Sequence, residues 1–322
     1  MCTAINFLSN HHYFGRNLDL DLTYGEGVII TPRSYIFSFR HYPTLTKHYA
    51  MIGGGITEDG YPLYYEATNE MGLSVAALNF NGYAKFGTGT GKHHIALYEF
   101  IPWVLGQCES VEGAEKLVND MVFTNEPFNS RYPVPTLHFI ISDKERSITV
   151  ESVEEGVRIH KNPVGVLANN PDFNYHMTHL SDYMSVSTSV RQNTLTACPL
   201  NEYSNGLGGM GLPGDMSSPS RFVRGVFLSG HAEGGSGESE DVAVFFRLLG
   251  NLSQIKGCVR LPGGGCQYTV YSCCLNTDKG IYYYTTYNDP RIRAVKMTPE
   301  NKCGSTLTLI PMNDECEIIF EN

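Results

Sequence analysis

The chain lacks any apolar stretch approaching the roughly 20 residues that a membrane-spanning helix needs. Its N-terminus has no basic segment leading into an apolar run, so a secretory signal pattern is missing too. Positive charge is also short: 23 Lys and Arg stand against 33 Asp and Glu, a formal net charge of −10. A nucleic-acid footprint needs a basic face, which this balance argues against. A small anionic substrate stays admissible, because a few placed arginines can capture one locally. Charged residues of both signs make up only 17% of the chain against 42% hydrophobic. That excludes chain-wide disorder and supplies a substantial core. The expectation is a cytoplasmic protein with neither nucleic acid nor membrane as partner.

Familiar cofactor and metal signatures are missing as well. The nine cysteines, at 2, 108, 198, 258, 266, 273, 274, 303 and 316, are odd in number, irregular in spacing and without a C-x-x-C pair. Zinc-ribbon and thioredoxin-like readings therefore fail, and most of these cysteines read as reduced, buried, small hydrophobes. "GLGGMG" at 206–211 fits G-x-G-x-x-G but follows a polar loop and runs into a proline. "GTGTGKH" at 87–93 has His93 where a phosphate loop needs Ser or Thr. His176 and His179 share a helix face, and His93 adjoins His94, but neither pair has the third ligand of a catalytic zinc. A papain-type Cys–His pair has no local signature. Neither a metal nor a cofactor is expected.

What the chain does contain is alternation. Residues 2–8 and 12–18 alternate around Ser9-Asn10-His11, which predicts an N-terminal β-hairpin. "GVIITPR", "YIFSFR", "YAMIGGG", "YPLYYEA" and "GLSVAALNF" follow as strands. Helices are predicted in "ALYEFIPWVLGQC", where Pro102 marks a kink or a start, and in "SVEGAEKLVNDM", capped by Ser110. Strands resume in "LHFIISD", "SITVES", "GVRIH" and "VGVLAN", then helices in "FNYHMTHLSDYM" and "SRFVRGVFL". Residues 230–240 read as a flexible connector before an amphipathic helix carrying Val242, Phe245, Phe246 and Leu249. "CQYTVYSCCL" and "GIYYYTTY" pair around "NTDKG", and "RIRAVKM" reads as the last core strand. The order predicts an α+β layered fold, with residues 1–322 as a single domain.

One cysteine stands apart by its address. If Met1 is removed, Cys2 brings a thiol and a free α-amine into one residue. The amine, with a reference pKa of about 7.7–8.0, is a base placed to take the thiol proton. The hairpin folds "GRNLD" back toward Cys2, which brings Arg16 and Asp19 near it. A guanidinium there favours the thiolate and the neutral amine, and Asp19 is expected to hold the amine by a hydrogen bond.

With "MCT", "YFGRNLD", "NEMGLSVAALNF", "GVLANNP" and "GLPGDMSSPSRFVR" in this order, the chain resembles the choloylglycine hydrolase family. That family contains bile salt hydrolases and penicillin V acylases. The resemblance implies an N-terminal nucleophile hydrolase: a four-layer αββα sandwich with two central antiparallel sheets. It implies Cys2 as nucleophile, Arg16 and Asp19 as the residues tuning it, and Arg221 completing the polar network. Asn79, through its backbone N–H, and Asn169, through its side chain, are the implied oxyanion donors. Arg16, Leu18, Asn79 and Asn81 are the implied substrate-binding residues. Ala168, Asn81 and Glu58 depart from the family's usual residues and bear on the pocket's shape. Asparagine at 79 favours conjugated bile salts as substrate, with penicillin V or an acyl-homoserine lactone as the alternative. A non-catalytic bile-acid-binding or redox-sensing protein is the reading from a different class. A homo-oligomer, a tetramer by resemblance, is expected.

Overall fold

The computed structural model describes residues 1–322 except Thr88, so that position of "GTGTGKH" lies outside the described residues. The strands are β1 (Cys2–Leu8), β2 (His12–Leu20), β3 (Gly27–Thr31), β4 (Met51–Glu58), β5 (Tyr61–Asn69), β6 (Ser74–Asn79) and β7 (His93–Ala96). They continue with β8 (Met121–Thr124), β9 (Leu137–Ser142), β10 (Ser147–Val153), β11 (Gly156–Lys161) and β12 (Val166–Leu167). The last are β13 (Val259–Arg260), β14 (Cys266–Asn276), β15 (Ile281–Thr286), β16 (Arg293–Lys296) and β17 (Thr308–Pro311). The helices are α1 (Phe100–Gln107), α2 (Val111–Val118), α3 (Phe173–His179), α4 (Ser218–His231), α5 (Glu238–Gly250) and α6 (Pro299–Cys303).

Among the described residues, one large sheet runs β12-β1-β2-β14-β15-β16, with β13 also on β14; the other large sheet runs β11-β10-β9-β6-β5-β4-β3-β17, and β7 and β8 form a separate two-stranded parallel sheet. The paired strands of both large sheets are antiparallel. The large sheets face each other through β1 and β2 against β6, and β15 against β4. Helices α4 and α5 cover the first sheet, and α1 and α2 cover the second. This is the expected αββα sandwich.

The second sheet is buried on both faces, and its strands read accordingly as apolar runs. Val28, Ile30, Ala76, Leu78 and Ile140 pack in the core shared with the first sheet. Their chain neighbours Ile29, Val75, Ala77, Phe139 and Ile141 pack under α1 and α2. Successive side chains on a strand point to opposite faces, so one run serves two cores. Pro102 falls in the first turn of α1, where its missing N–H costs nothing. Ser110 caps α2 by accepting the Gly113 N–H at 3.3 Å.

Three local expectations are corrected. "YIFSFR" forms only an isolated bridge, Phe37 with Leu45, and spends its rings in an aromatic cluster instead. The connector shortens to residues 232–237 and is pinned: Asp241 accepts the Gly235 N–H and the Ser9 hydroxyl, both at 2.8 Å. The last strand is β17, which edges the second sheet beside β3.

Candidate active site

Cys2 opens β1 opposite Leu18 of β2, and Ala4 lies opposite Arg16. On β14, Tyr271 lies opposite Leu18 and Cys273 opposite Arg16. Period-two alternation puts Cys2, Leu18, Arg16, Tyr271 and Cys273 on one face, turned toward the second sheet. Asp19 is an odd number of residues from Arg16 and therefore belongs to the opposite face. That is why its carboxylate does not meet the Cys2 nitrogen, as the sequence led us to expect. Its Oδ1 instead accepts the Thr269 hydroxyl at 2.6 Å. Only its backbone reaches the chain end: the Met1 amine donates to Asp19 O at 2.8 Å, and Asp19 N–H to Met1 O at 3.0 Å. Burial pushes the Asp19 carboxyl upward, against the pull of Arg221 and the terminal amine.

The partner of the Cys2 nitrogen is Asn169. Its Oδ1 accepts that N–H at 2.7 Å and a proton of Arg221 Nη2 at 2.8 Å. Arg221, fully buried on α4, also donates to Cys2 O at 2.5 Å and to the Thr3 hydroxyl. Asn169 Nδ2 donates to Asn79 O at 2.8 Å. An amide nitrogen carries two protons, so a second donor remains on Nδ2. On the other edge of β6, the next N–H, from Phe80, donates to Thr136 O at 2.8 Å. By alternation the N–H of Asn79 points the opposite way, beside its own C=O and toward Asn169. The two asparagines thus bring two N–H groups together beside Cys2, a pair of the kind that can receive a developing oxyanion.

Arg16 is fixed by groups from the facing sheet. Its Nη1 donates to Ala77 O at 2.5 Å and to Tyr65 O at 3.3 Å, and its Nε lies 3.7 Å from Glu66 Oε2. Burial works against the Arg16 charge, but Cys2 and Glu66 beside it hold the guanidinium firmly protonated. Glu66, also fully buried, accepts the hydroxyls of Tyr271 at 2.9 Å and Tyr282 at 2.7 Å. Among the described residues Arg16 Nη2 has no hydrogen-bond partner.

These groups stand at a cavity of about 490 Å³ that Cys2, Arg16, Leu18 and Asn79 line. The rest of the wall is mainly apolar or aromatic, including Leu20, Ile56, Leu63 and Phe128, with Arg131 and Glu126 also lining it. Asn81 does not line it: Phe80 turns inward to stack on His138, and the chain then bends away with Asn81 exposed. Glu58 pairs with Arg131 at 3.5 Å.

The model of linear amide C–N hydrolases, the choloylglycine hydrolase family, matches residues 2–310. The chain belongs to the choloylglycine hydrolase family. It is 43% identical over 324 residues to a bile salt hydrolase/transferase of Lactiplantibacillus plantarum, covering 100% of both. A cysteine-to-alanine mutant of a conjugated bile acid hydrolase from Clostridium perfringens superposes with a TM-score of 0.91 at 32% identity, covering 100% of both chains. A penicillin V acylase from Agrobacterium tumefaciens shares the fold, with a TM-score of 0.73 at 19% identity, covering 96% of this chain and 90% of its own.

The other sequence candidates have structural explanations. His176 is buried with Nε2 2.7 Å from Asn169 O, and His179 Nδ1 lies 3.0 Å from Asp182. Among the described residues no group of three or more His, Cys, Asp or Glu is placed to hold a metal ion. "GLGGMG" forms a single 3₁₀ turn at Leu207–Gly209. The nine cysteines are unpaired, but only Cys2, Cys108, Cys273 and Cys274 are buried; Cys198, Cys258, Cys303 and Cys316 are exposed, contrary to expectation. Among the described residues no helix is long and apolar enough to cross a membrane. Sequence reasoning missed Thr3, Glu66, Ser218 and Thr269. Glu66 alone left a signal, as the one charge within the strand "YPLYYEATN".

Proposed function

We propose that this amidase hydrolyses the C–N bond of glycine- or taurine-conjugated bile salts, with Cys2 as nucleophile after Met1 is removed. The observation that carries the proposal is the junction of Cys2 with a mainly apolar cavity of about 490 Å³. A rigid, apolar acyl group can fill such a space and bring its amide carbonyl to the thiol. The bile-acid names of the relatives support the same substrate.

In this reading the thiol proton passes to the α-amine of Cys2, and sulfur attacks the amide carbonyl. The oxyanion is received by Asn79 N–H and Asn169 Nδ2–H. The amine returns its proton to the leaving nitrogen, the C–N bond breaks, and a thioester remains on Cys2. Water, deprotonated by the same amine, then releases the acid. Asn169 Oδ1 and Arg221 orient the amine, and Arg16 offers positive charge at the cavity wall. We read the chain as one domain, a reading supported by the sharing of the same sheets by strands from both its ends. Its proposed setting is a cytoplasmic homotetramer, by family resemblance.

The test is an assay of the purified enzyme on glyco- and tauro-conjugates and on penicillin V, with intact mass to locate Met1. Turnover of the conjugates by the processed form supports the proposal. Turnover of penicillin V alone replaces it with the acylase reading, and no amide turnover by a processed enzyme refutes it.

A further inference from the structure

The chain around Asn169 is gripped at successive backbone groups. Ser218 Oγ accepts the Asn169 N–H at 2.8 Å, and His176 Nε2 lies 2.7 Å from Asn169 O. One residue earlier, His138 Nε2 lies 2.9 Å from Ala168 O. His138 sits on β9 with its ring stacked on Phe80, centroids 4.4 Å apart. Its other nitrogen, Nδ1, lies 3.1 Å from Glu151 Oε1 of β10.

Both oxygens facing His138 are acceptors, because a carbonyl and an ionised carboxylate carry no proton. A neutral imidazole has one N–H and can satisfy only one of them. An imidazolium satisfies both. Such a cation, fully buried, needs a countercharge beside it. Glu151 is that charge: burial works to raise its carboxyl, but hydrogen bonding from His138 and His160 draws it down to about 2. His160 approaches from β11, 3.3 Å from Glu151 Oε2. His176 of α3 also faces this cluster and is its opposite in state. Among the described residues its Nδ1 has no hydrogen-bond partner, and burial holds its pKa down to about 4. It stays neutral, with its proton on the Nε2 that serves Asn169 O.

We propose that His138, held as an imidazolium between Glu151 and the Ala168 carbonyl, is a positioning residue that aims the Asn169 amide at the oxyanion. This rests on the reading of Asn169 as an oxyanion donor. Glu151 also accepts the Phe173 N–H at 3.0 Å, so the same carboxylate ties the start of α3 to the segment preceding it. Losing the His138 bridge lets Ala168 and Asn169 shift while the cavity that binds the acyl group keeps its walls. A displacement of about 1 Å in a catalytic group is enough to cost about 100-fold in rate.

The experiment combines nitrogen NMR of the histidine-labelled, processed enzyme with kinetics on a glycine-conjugated bile salt. In the parent enzyme at neutral pH, both His138 ring nitrogens should show protonated shifts, and Glu151→Gln should convert them to the one-proton pattern. His138→Gln and Glu151→Gln should each lower kcat at least about tenfold with KM within about twofold, the split expected for a misaimed donor. A single-proton His138 in the parent overturns the proposal, even where a variant does not fold. So does a kcat for folded His138→Gln within about threefold of the parent. Asn169→Ala separates the two readings: if it stays fully active, the oxyanion assignment fails and takes this inference with it. If Asn169→Ala is inactive while His138→Gln is fully active, this inference alone fails.

Discussion

The side-chain oxygen of Asn169 lies 2.7 Å from the backbone nitrogen of Cys2, a hydrogen bond spanning 167 residues of chain. The hairpin creates the need for it. Met1 and Asp19 exchange backbone hydrogen bonds, so by alternation the next pair, Cys2 and Leu18, does not. The Cys2 N–H and C=O therefore face away from β2, and Asn169 and Arg221 take them in place of a strand. If Met1 is removed, this nitrogen becomes the α-amine and already has an acceptor. The guanidinium on the same Asn169 oxygen favours the neutral amine, the form that accepts a proton.

Cys2→Ser is expected to fold and to lose nearly all activity. The hydroxyl fits the same space but holds its proton far more tightly, and an amine is a weak base for it. Activity within about tenfold of the parent, only about 1.4 kcal/mol in the barrier, would rule out Cys2 as nucleophile.

Retaining Met1 should also abolish turnover with Cys2 intact. The nitrogen beside Asn169 is then an amide and cannot take a proton. An active sample whose intact mass shows Met1 on every chain contradicts the mechanism.

The hairpin placement was legible because period two is a property of the sequence: Cys2, Arg16 and Leu18 had to share a face. The same rule, applied from Arg16 to Asp19, would have set the Asp19 carboxylate on the other face. The His138–Glu151 contact left no comparable trace, since it depends on the register of β9 against β10, which long-range packing decides. "YIFSFR" has strand composition, but Pro32 and Pro43 bracket it and its aromatic rings gain more in the cluster around Phe37. β17 is four residues on a sheet edge, too short to show a period.

Acid should weaken the fold in a defined window. Burial holds His12 and His176 down to about 4. Because both lie below the unfolded value of about 6.5, the unfolded chain takes up protons first as pH falls. Stability is therefore full above about 6.5, declines toward 4 and then levels, by up to roughly 3 kcal/mol for each histidine. Glu151, held down to about 2, adds a further loss below its unfolded value of about 4.5. The buried Asp19 and Glu66, both raised, work in the opposite sense in parent and variant alike. His176→Gln keeps a donor for Asn169 O and removes one titration. Its urea-unfolding free energy should fall less steeply between pH 6.5 and 4.5 than the parent's. Parallel slopes would show that His176 is not the neutral, buried group assigned here.

Asn79→Tyr separates the two substrate branches. The Asn79 carbonyl accepts Asn169 Nδ2 at 2.8 Å, and its N–H points the same way; both belong to the backbone and survive the substitution. What changes is the side chain, whose Oδ1 accepts the Thr136 hydroxyl at 3.2 Å where both residues line the cavity. A tyrosine removes that amide and sets a ring into space proposed for the bile acyl group. Losing the hydrogen bond and introducing the steric conflict should each cost about 1–3 kcal/mol. Hydrolysis of glyco- and tauro-conjugates is expected to fall at least about tenfold, which is about 1.4 kcal/mol in the barrier. Any penicillin V activity should fall less, or rise, because a flatter aromatic acyl group can share the pocket with the ring. Paired kinetics on both substrates decide this, with circular dichroism as the control for folding. If both activities drop equally in a folded variant, Asn79 supports catalysis in general, and the bile-salt assignment loses the residue that argued for it.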